Sequence, residues 1–419
     1  MERVFRPCEL LLPANCDMGK WSVVACDQFS SQPEYWDALD AAVGDAPSTL
    51  RMMLPEAYLE SRDQLEQAEK INAKMREYLA GGVFRTVPEG YVYLERTLTG
   101  GAVRRGLVGA LDLEAYNYSK DSRTPIRATE GTIESRLPPR VRVRRDAILE
   151  MPHVMVFVDD AENRLLGPLA EKSGELPKLY DFELCCGGGH LRGWRVAGAD
   201  AQAVGAAIDE LSDPAALMEK YRNAAPAVFA MGDGNHSLAA AKKYWEELKP
   251  GLSESERKTH PARFGLVELV NIHDAAVTFE PIHRVMFATD AADFIAGAKS
   301  YWAGRGSGTG AAHRIRLVSA GADEALEVRS LTIGGLIGAA EDFCQGWTSS
   351  HGGRVDYIHN NDTAEAMGRR PGCAAILLPR MEKNELFPSI IHSGPFPKKS
   401  FSIGRAEDKR YYLECRKIK

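Results

Sequence analysis

Residues 228 to 240 hold the densest set of chemically useful side chains in the sequence. A short apolar run, Val228-Phe229-Ala230-Met231, meets Gly232-Asp233-Gly234. Asn235-His236-Ser237 follows, and then a helical pattern begins at Leu238-Ala239-Ala240. This order spells strand, tight turn, helix. A helix N-terminus presents unpaired N–H groups and a partial positive charge, which suit a phosphate or carboxylate. Gly234 lets the backbone take a positive φ or approach a ligand closely. Asp233 and His236 then stand within a few residues of that anion site, placed to hold a magnesium ion or move a proton. Strand–Gly-x-Gly–helix turns also recur in α/β proteins with no ligand, and Asn235 or Ser237 can serve simply as a helix cap.

Three other stretches carry comparable groups. In Arg123-Thr124-Pro125-Ile126-Arg127-Ala128-Thr129-Glu130, an arginine such as Arg127 can clamp phosphate oxygens in bidentate fashion, and Glu130 can act as a general base or magnesium ligand. The competing reading is a solvated charged loop with internal ion pairs. His283-Arg284, after a buried strand, can reach a ligand from a strand end, or the histidine can be structural. Pro397-Lys398-Lys399-Ser400 sets two ammonium groups beside a hydroxyl, as a phosphate contact or an exposed turn. There is no Gly-x-x-x-x-Gly-Lys-Ser/Thr loop, so a P-loop site is excluded. Gly187-Gly188-Gly189-His190 has the wrong spacing for a dinucleotide fingerprint and reads as a turn.

The elements that must position these groups follow from periodicity. A long helix is expected over 55–80, with Pro55 at its start and Gly81-Gly82 at its end. Strands are expected near 91–99 and 102–111, joined by a turn at Thr99-Gly100-Gly101. An apolar strand over 154–158 ends at Asp159-Asp160. Two strands lie within 176–196, one helix spans 201–222, and the strand and helix of the turn occupy 228–232 and 236–248. Beyond a buried strand at 264–272, helices and strands alternate, with a flexible loop at 304–310. Interleaving of this kind indicates an α/β class, mixed α+β, with mixed sheets flanked by helices.

The 419 residues suffice for two or three domains and a sizeable core. A hydrophobic share of 44% and a charged share of 26% are those of an ordinary soluble globular chain. The net charge of −6 speaks against a general nucleic-acid or membrane-surface binder. No apolar run reaches bilayer length, and the first residues lack the apolar core of a signal peptide, so a cytoplasmic protein is expected. None of the cysteines forms a Cys-x-x-Cys pair. Most are read as small core residues rather than metal ligands.

In this order, the Ala230-Met231-Gly232-Asp233-Gly234-Asn235-His236 turn, Leu269-Val270-Asn271-Ile272 running into Pro281-Ile282-His283-Arg284, and Pro397-Lys398-Lys399-Ser400 resemble domain-of-unknown-function family 1015. The Asp159 strand and the arginine-rich loop before it fit the same likeness. Members of that family usually read Asp-Gly-His-His-Arg at the turn. That form is similar to the motif of ParB/sulfiredoxin-like proteins, which include nucleotide-dependent kinases of free serine and nucleotide-binding partition proteins. The resemblance implies a ParB/sulfiredoxin-like central portion over 116–290, between an N-terminal α/β portion over 1–115 and a C-terminal α/β portion over 291–419. It also implies a nucleotide phosphate on the Gly234–His236 turn. Here Asn235 replaces the first histidine and Ser237 the arginine. A cationic contact is therefore missing, and Arg284 or the Arg127 loop is expected to replace it.

The resulting expectation is a nucleotide-dependent phosphotransferase, kinase-like toward a small metabolite. Glu130, Asp233 and His236 are its catalytic residues, and Asp233 is the magnesium ligand. Arg127, Gly234, Asn235, Ser237, His283 and Arg284 contact substrate. ATP or ADP is the candidate nucleotide, with Mg2+ as cofactor, and the partners are a nucleotide and a small-molecule metabolite rather than a membrane or nucleic acid. The alternative is a non-catalytic regulatory module that binds a nucleotide or anionic metabolite. A DNA-associated ParB-like role is disfavoured by the acidic balance and the lack of a basic helix.

Overall fold

The computed structural model describes residues 3–419 apart from 31, 60, 152, 153, 224, 226, 304–310, 330, 331, 405 and 412. The loop expected at 304–310 lies outside the described residues. The fold is mixed α+β, built on two principal sheets with helices packed against them.

The larger sheet has eleven strands among the described residues. Its path runs Tyr116–Asn117, Ile126–Arg127, Phe229–Asp233, Met155–Val158, Phe264–Asn271, Val103–Asp112, Phe84–Thr97, His190–Val196 and Lys178–Glu183. Phe5–Arg6 and Cys8–Pro13 attach to its middle. Strands from both sides of residue 115 therefore share one sheet. Phe264–Asn271 is buried at every position, as a central strand covered on both faces must be.

The smaller sheet is antiparallel throughout, in the order Asp323–Val328, His313–Ser319, Cys373–Leu377, His283–Phe287, Arg354–Ile358. Strand alternation sends Met286, Ala374, Ile376, Ile315 and Leu317 into a core shared with helices Ala291–Ala303 and Ile333–His351. Val285, Ala375, Leu377 and Val318 face the opposite way and pack with Ala364 of helix Asn361–Gly368. His283–Phe287, which the sequence places in the central portion, pairs here with C-terminal strands.

Two helix boundaries differ from expectation. Pro55 opens a short 3-10 turn, Glu56–Tyr58, and the long helix starts at Gln64, where Asp63 accepts hydrogen bonds from the N–H groups of Leu65 and Glu66. A capping carboxylate so close to the first N–H groups decides the start more strongly than proline at a possible first position. The single helix expected over 201–222 is two helices, Gly198–Leu211 and Pro214–Tyr221. Pro214 cannot donate an N–H to a continuing helix, and Asp213 caps the new one through Ala216 N–H. All eight cysteines are free. Cys344, Cys373 and Cys415 are core residues, whereas Cys186 is exposed.

The C-terminal segment ties the two halves together. Phe396 exchanges backbone hydrogen bonds with the Glu130 loop, its N–H donating to Thr129 at 2.7 Å and its carbonyl accepting from Gly131 at 3.2 Å. Further on, Ala25 N–H donates to the Lys409 carbonyl at 2.8 Å, and Tyr411 N–H donates to Val23 at 3.0 Å. Arg416–Lys417 pairs with Leu149–Glu150.

Candidate functional site

Strands Ile126–Arg127 and Phe229–Asp233 are parallel neighbours, so their carboxyl ends lie side by side. Ligands in sheets with parallel strands are commonly held beyond the carboxyl ends of those strands. Glu130 follows one strand and Asp233 ends the other. A register shift between Met231 and Asp233, with Gly232 inside it, re-aims the end of the second strand.

Gly234 then takes φ +75°, and a Cβ there would meet the Val154 side chain at 3.0 Å. Only glycine combines that conformation with that closeness. Helix Asn235–Leu248 starts at once, and Gly234 caps it without a side chain. The Gly234 carbonyl accepts from Ser237 N–H at 3.0 Å and from Leu238 N–H at 3.1 Å. The helix is held rigidly. Leu238, Ala239, Ala240, Ala241, Tyr244 and Trp245 are buried along it, and Trp245 Nε1 donates to Glu114 at 2.7 Å.

The centre of the site is a charge cluster. Lys409 Nζ lies 3.3 Å from the Asp233 carboxylate, both side chains being about a quarter exposed or less at 25% and 21%. Asp233 also accepts from Gly234 N–H at 2.8 Å. The Asp233 charge is the main influence raising Lys409 above the usual lysine range, with Asp27 and Glu130 adding to it against the opposing cost of burial. Glu130 is pushed up to about 7, chiefly by burial; the Asp233 charge adds to the rise and Lys409 opposes it. A carboxyl group poised near neutrality is what a general base requires.

His236 lies beside this cluster. Its Nε2 accepts from Ile133 N–H at 3.2 Å, which leaves Nδ1 as the protonated ring nitrogen of the neutral form. Burial lowers it to about 4, and the positive charges of Arg140 and Arg136 push the same way. His359, at the end of strand Arg354–Ile358, is also lowered, by burial and then by Lys399 and Lys409. The site thus gathers groups from the N-terminal part, both parallel strands, the smaller sheet and the C-terminal segment. The Asn235 Oδ1 and Thr132 Oγ1 atoms are buried there with no hydrogen-bond partner among the described residues.

Several expected contacts are located elsewhere. Arg127 is buried, and its guanidinium donates to the backbone carbonyls of Thr124, at 3.1 Å, and Ala225. Arg284 has no exposed side-chain surface. It pairs with Glu341 at 3.1 Å, donates to the carbonyls of Ile282 and Lys399, and lies over the Tyr357 ring. His283 is buried, is lowered to about 4 by burial, and accepts from Leu378 N–H at 3.1 Å. The cation found beside the turn is Lys409, paired with Asp233, rather than Arg284 or Arg127. Both arginines lie within their sheets, held by backbone carbonyls and, for Arg284, by the Glu341 carboxylate, although Arg284 Nη2 has no partner among the described residues. Ser237 is half-buried and lines a mainly apolar pocket that none of Glu130, Asp233 and Lys409 lines.

The residues do not fit a protein-built magnesium site. No group of three or more His, Cys, Asp or Glu suited to a metal occurs among the described residues. The Asp233 carboxylate, expected as the metal ligand, pairs instead with the Lys409 ammonium at 3.3 Å.

Lys409 and Asp27 were not singled out in the sequence. Asp408-Lys409-Arg410 is a short charge run near the C-terminus, and nothing local connects it to a turn in the middle of the chain.

A family model described as "Protein of unknown function (DUF1015)" matches residues 6–350. The chain belongs to this family. Lys409 lies beyond the matched residues. No curated protein matches the chain. Among solved structures, a mutant free serine kinase in complex with AMP is similar over 74% of this chain and 90% of its own, with 8% identity and a TM-score of 0.36. A conserved hypothetical protein from Pyrococcus furiosus is similar over 74% of this chain and 94% of its own, with 9% identity and a TM-score of 0.32. SbnI from Staphylococcus aureus covers 71% of this chain and 82% of its own, with 8% identity and a TM-score of 0.33. At these scores the functional reading rests on the site itself. No helix among the described residues is long and apolar enough to cross a membrane.

Proposed function

We propose that this DUF1015 protein is a cytoplasmic, nucleotide-dependent phosphotransferase acting on a small hydroxylated metabolite, with the nucleotide phosphates on the Asp233-Gly234-Asn235-His236 turn. The observation that carries this reading is the Glu130–Asp233–Lys409 cluster at the N-terminus of helix Asn235–Leu248. Phosphoryl transfer asks a protein mainly for position and for neutralisation of phosphate charge. The helix N-terminus and the Lys409 ammonium supply that neutralisation. Asp233 positions Lys409, and the neutral His236 donates from Nδ1.

Glu130 takes the proton of the acceptor hydroxyl as its oxygen bonds to phosphorus and the bond to the leaving phosphate oxygen breaks. With a pKa of about 7, it is partly ionised at neutral pH and holds that proton readily afterwards. The test is turnover. ATP, ADP and a panel of hydroxylated metabolites are incubated with the protein, and phosphorylated product is followed by phosphorus NMR. Product formed by the native protein and lost in Glu130→Gln supports the assignment. Binding of nucleotide with no product from any acceptor supports the second reading, a non-catalytic nucleotide-responsive module. That reading is favoured by the serine at 237 where the family motif has an arginine.

A further inference from the structure

The first turns of the same helix also line a cavity of about 170 Å³. Helix Gln64–Ala80, helix Leu137–Asp146, the first turns of helix Asn235–Leu248 and the 49–59 segment line it, and it opens to solvent. Met52, Met53, Met75 and Met151 form much of its wall, with Val143 and Ala240 between them. Its lining is mainly apolar, and among its polar groups Arg140 pairs with Glu56 and Arg144 pairs with Glu150 at 2.7 Å.

Apolar cavities of about 150 Å³ take up a benzene ring. Unbranched, polarisable methionine side chains reshape around different apolar guests and make favourable contacts with aromatic rings. A paired guanidinium and carboxylate give a hydroxyl group both a donor and an acceptor. Ser237 and Arg140 connect the cavity to the turn: Ser237 lines it, and the Arg140 charge helps hold His236 neutral.

We infer that this cavity is a second ligand site, for a small amphipathic molecule. Its aromatic or branched aliphatic group, about the size of one ring, sits among the four methionines, and its hydroxyl faces the Arg140–Glu56 pair. The inference stands apart from the phosphate reading, because no group of the Glu130–Asp233–Lys409 cluster lines the cavity.

The test uses the full chain carrying [13C]methyl-methionine, titrated with p-cresol and, separately, with 3-methylbutan-1-ol. The expected result is a saturable shift of the Met52, Met53, Met75 and Met151 methyl signals with at least one probe, while the exposed Met218 stays still. Val143→Phe, which fills the cavity from its wall, is expected to weaken that binding at least tenfold. Absence of saturable shifts in the native protein with both probes overturns the inference, whatever the variant does. So do shifts of Met218 equal to those of the four, which would show non-specific partitioning. Loss of nucleotide binding in other experiments leaves this result untouched.

Discussion

The Lys409 ammonium lies 3.3 Å from the Asp233 carboxylate, bringing the C-terminal segment onto a turn in the middle of the chain. The contact is fixed by backbone on both sides, through Ala25 N–H to the Lys409 carbonyl and Gly234 N–H to Asp233. Under the proposed function, this charge takes the place of the arginine absent at position 237. Replacing Asp233 with Ala is expected to release Lys409 and lower nucleotide affinity at least tenfold. Because the pair is partly exposed, stability falls by only about 1 kcal/mol. Paired calorimetric titrations and urea melts measure the two effects.

In the proposed reaction, Glu130 is expected to make the rate pH-dependent. With its pKa near 7, activity is expected to rise from pH 6 to pH 8 as the carboxylate ionises, and Glu130→Gln removes both the rise and the activity. The same shift has a stability consequence of opposite sign. Between the ordinary carboxylate value and about pH 7, the folded protein binds more protons at this residue than the unfolded chain, so the group's contribution to stability declines as pH rises through that window. Urea melts at pH 5 and pH 8 on the native protein and Glu130→Gln measure this. The variant is expected to lose less stability than the native protein between the two values.

His236 behaves in the contrary way. Its lowered pKa, about 4, keeps it neutral through the physiological range. Two-dimensional NMR of the ring nitrogens is expected to show no titration of His236 between pH 5.5 and 8, with the proton on Nδ1. As pH falls below the ordinary histidine value, the unfolded chain gains a proton there that the folded protein does not. Stability is therefore lost progressively toward pH 4. A His236 signal that titrates near 6.5 would contradict the buried, acceptor geometry.

Arg284 is expected to matter for the fold and not for the ligand. Arg284→Ala takes the cation from Glu341, which keeps Tyr357 and Gln345 as donors, and leaves the Ile282 and Lys399 carbonyls without that partner beside a fully buried position, a loss of about 2 kcal/mol. Nucleotide affinity of the folded fraction should be unchanged. Equal stability with weakened binding would return Arg284 to the site.

Ser237→Arg separates the motif reading from the structural one. By motif alone, restoring the arginine strengthens phosphate binding. In the structure Ser237 lines the methionine pocket beside Arg140 and Arg144, so a third guanidinium there meets like charges and apolar walls. The expected outcome is a lower melting temperature with no gain in phosphate affinity, read by thermal shift with and without ATP.

These contrasts show where the sequence was informative. The strand, the Gly-Asp-Gly turn and the helix from Asn235 to Leu248 are local features, governed by apolar periodicity and by a glycine at positive φ, and they were legible residue by residue. The closeness of Glu130 to Asp233 follows from parallel pairing of two short strands, which no local pattern dictates. Lys409 depends on a long return of the chain, through Phe396 beside Glu130 and Tyr411 beside Val23, and no periodicity encodes such a return. Arg127 and Arg284 were misleading for a related reason. A charged residue at a strand end looks available until the carbonyls and carboxylate around it are known.

Calorimetric titration of ATP and ADP into the native protein and into Lys409→Met tests the central claim most directly. The account predicts saturable binding of at least one nucleotide to the native protein and a loss of at least tenfold in the variant, with its circular dichroism spectrum unchanged. Equal affinity in the two folded proteins, or no binding of either nucleotide to the native protein at millimolar concentration, would contradict it.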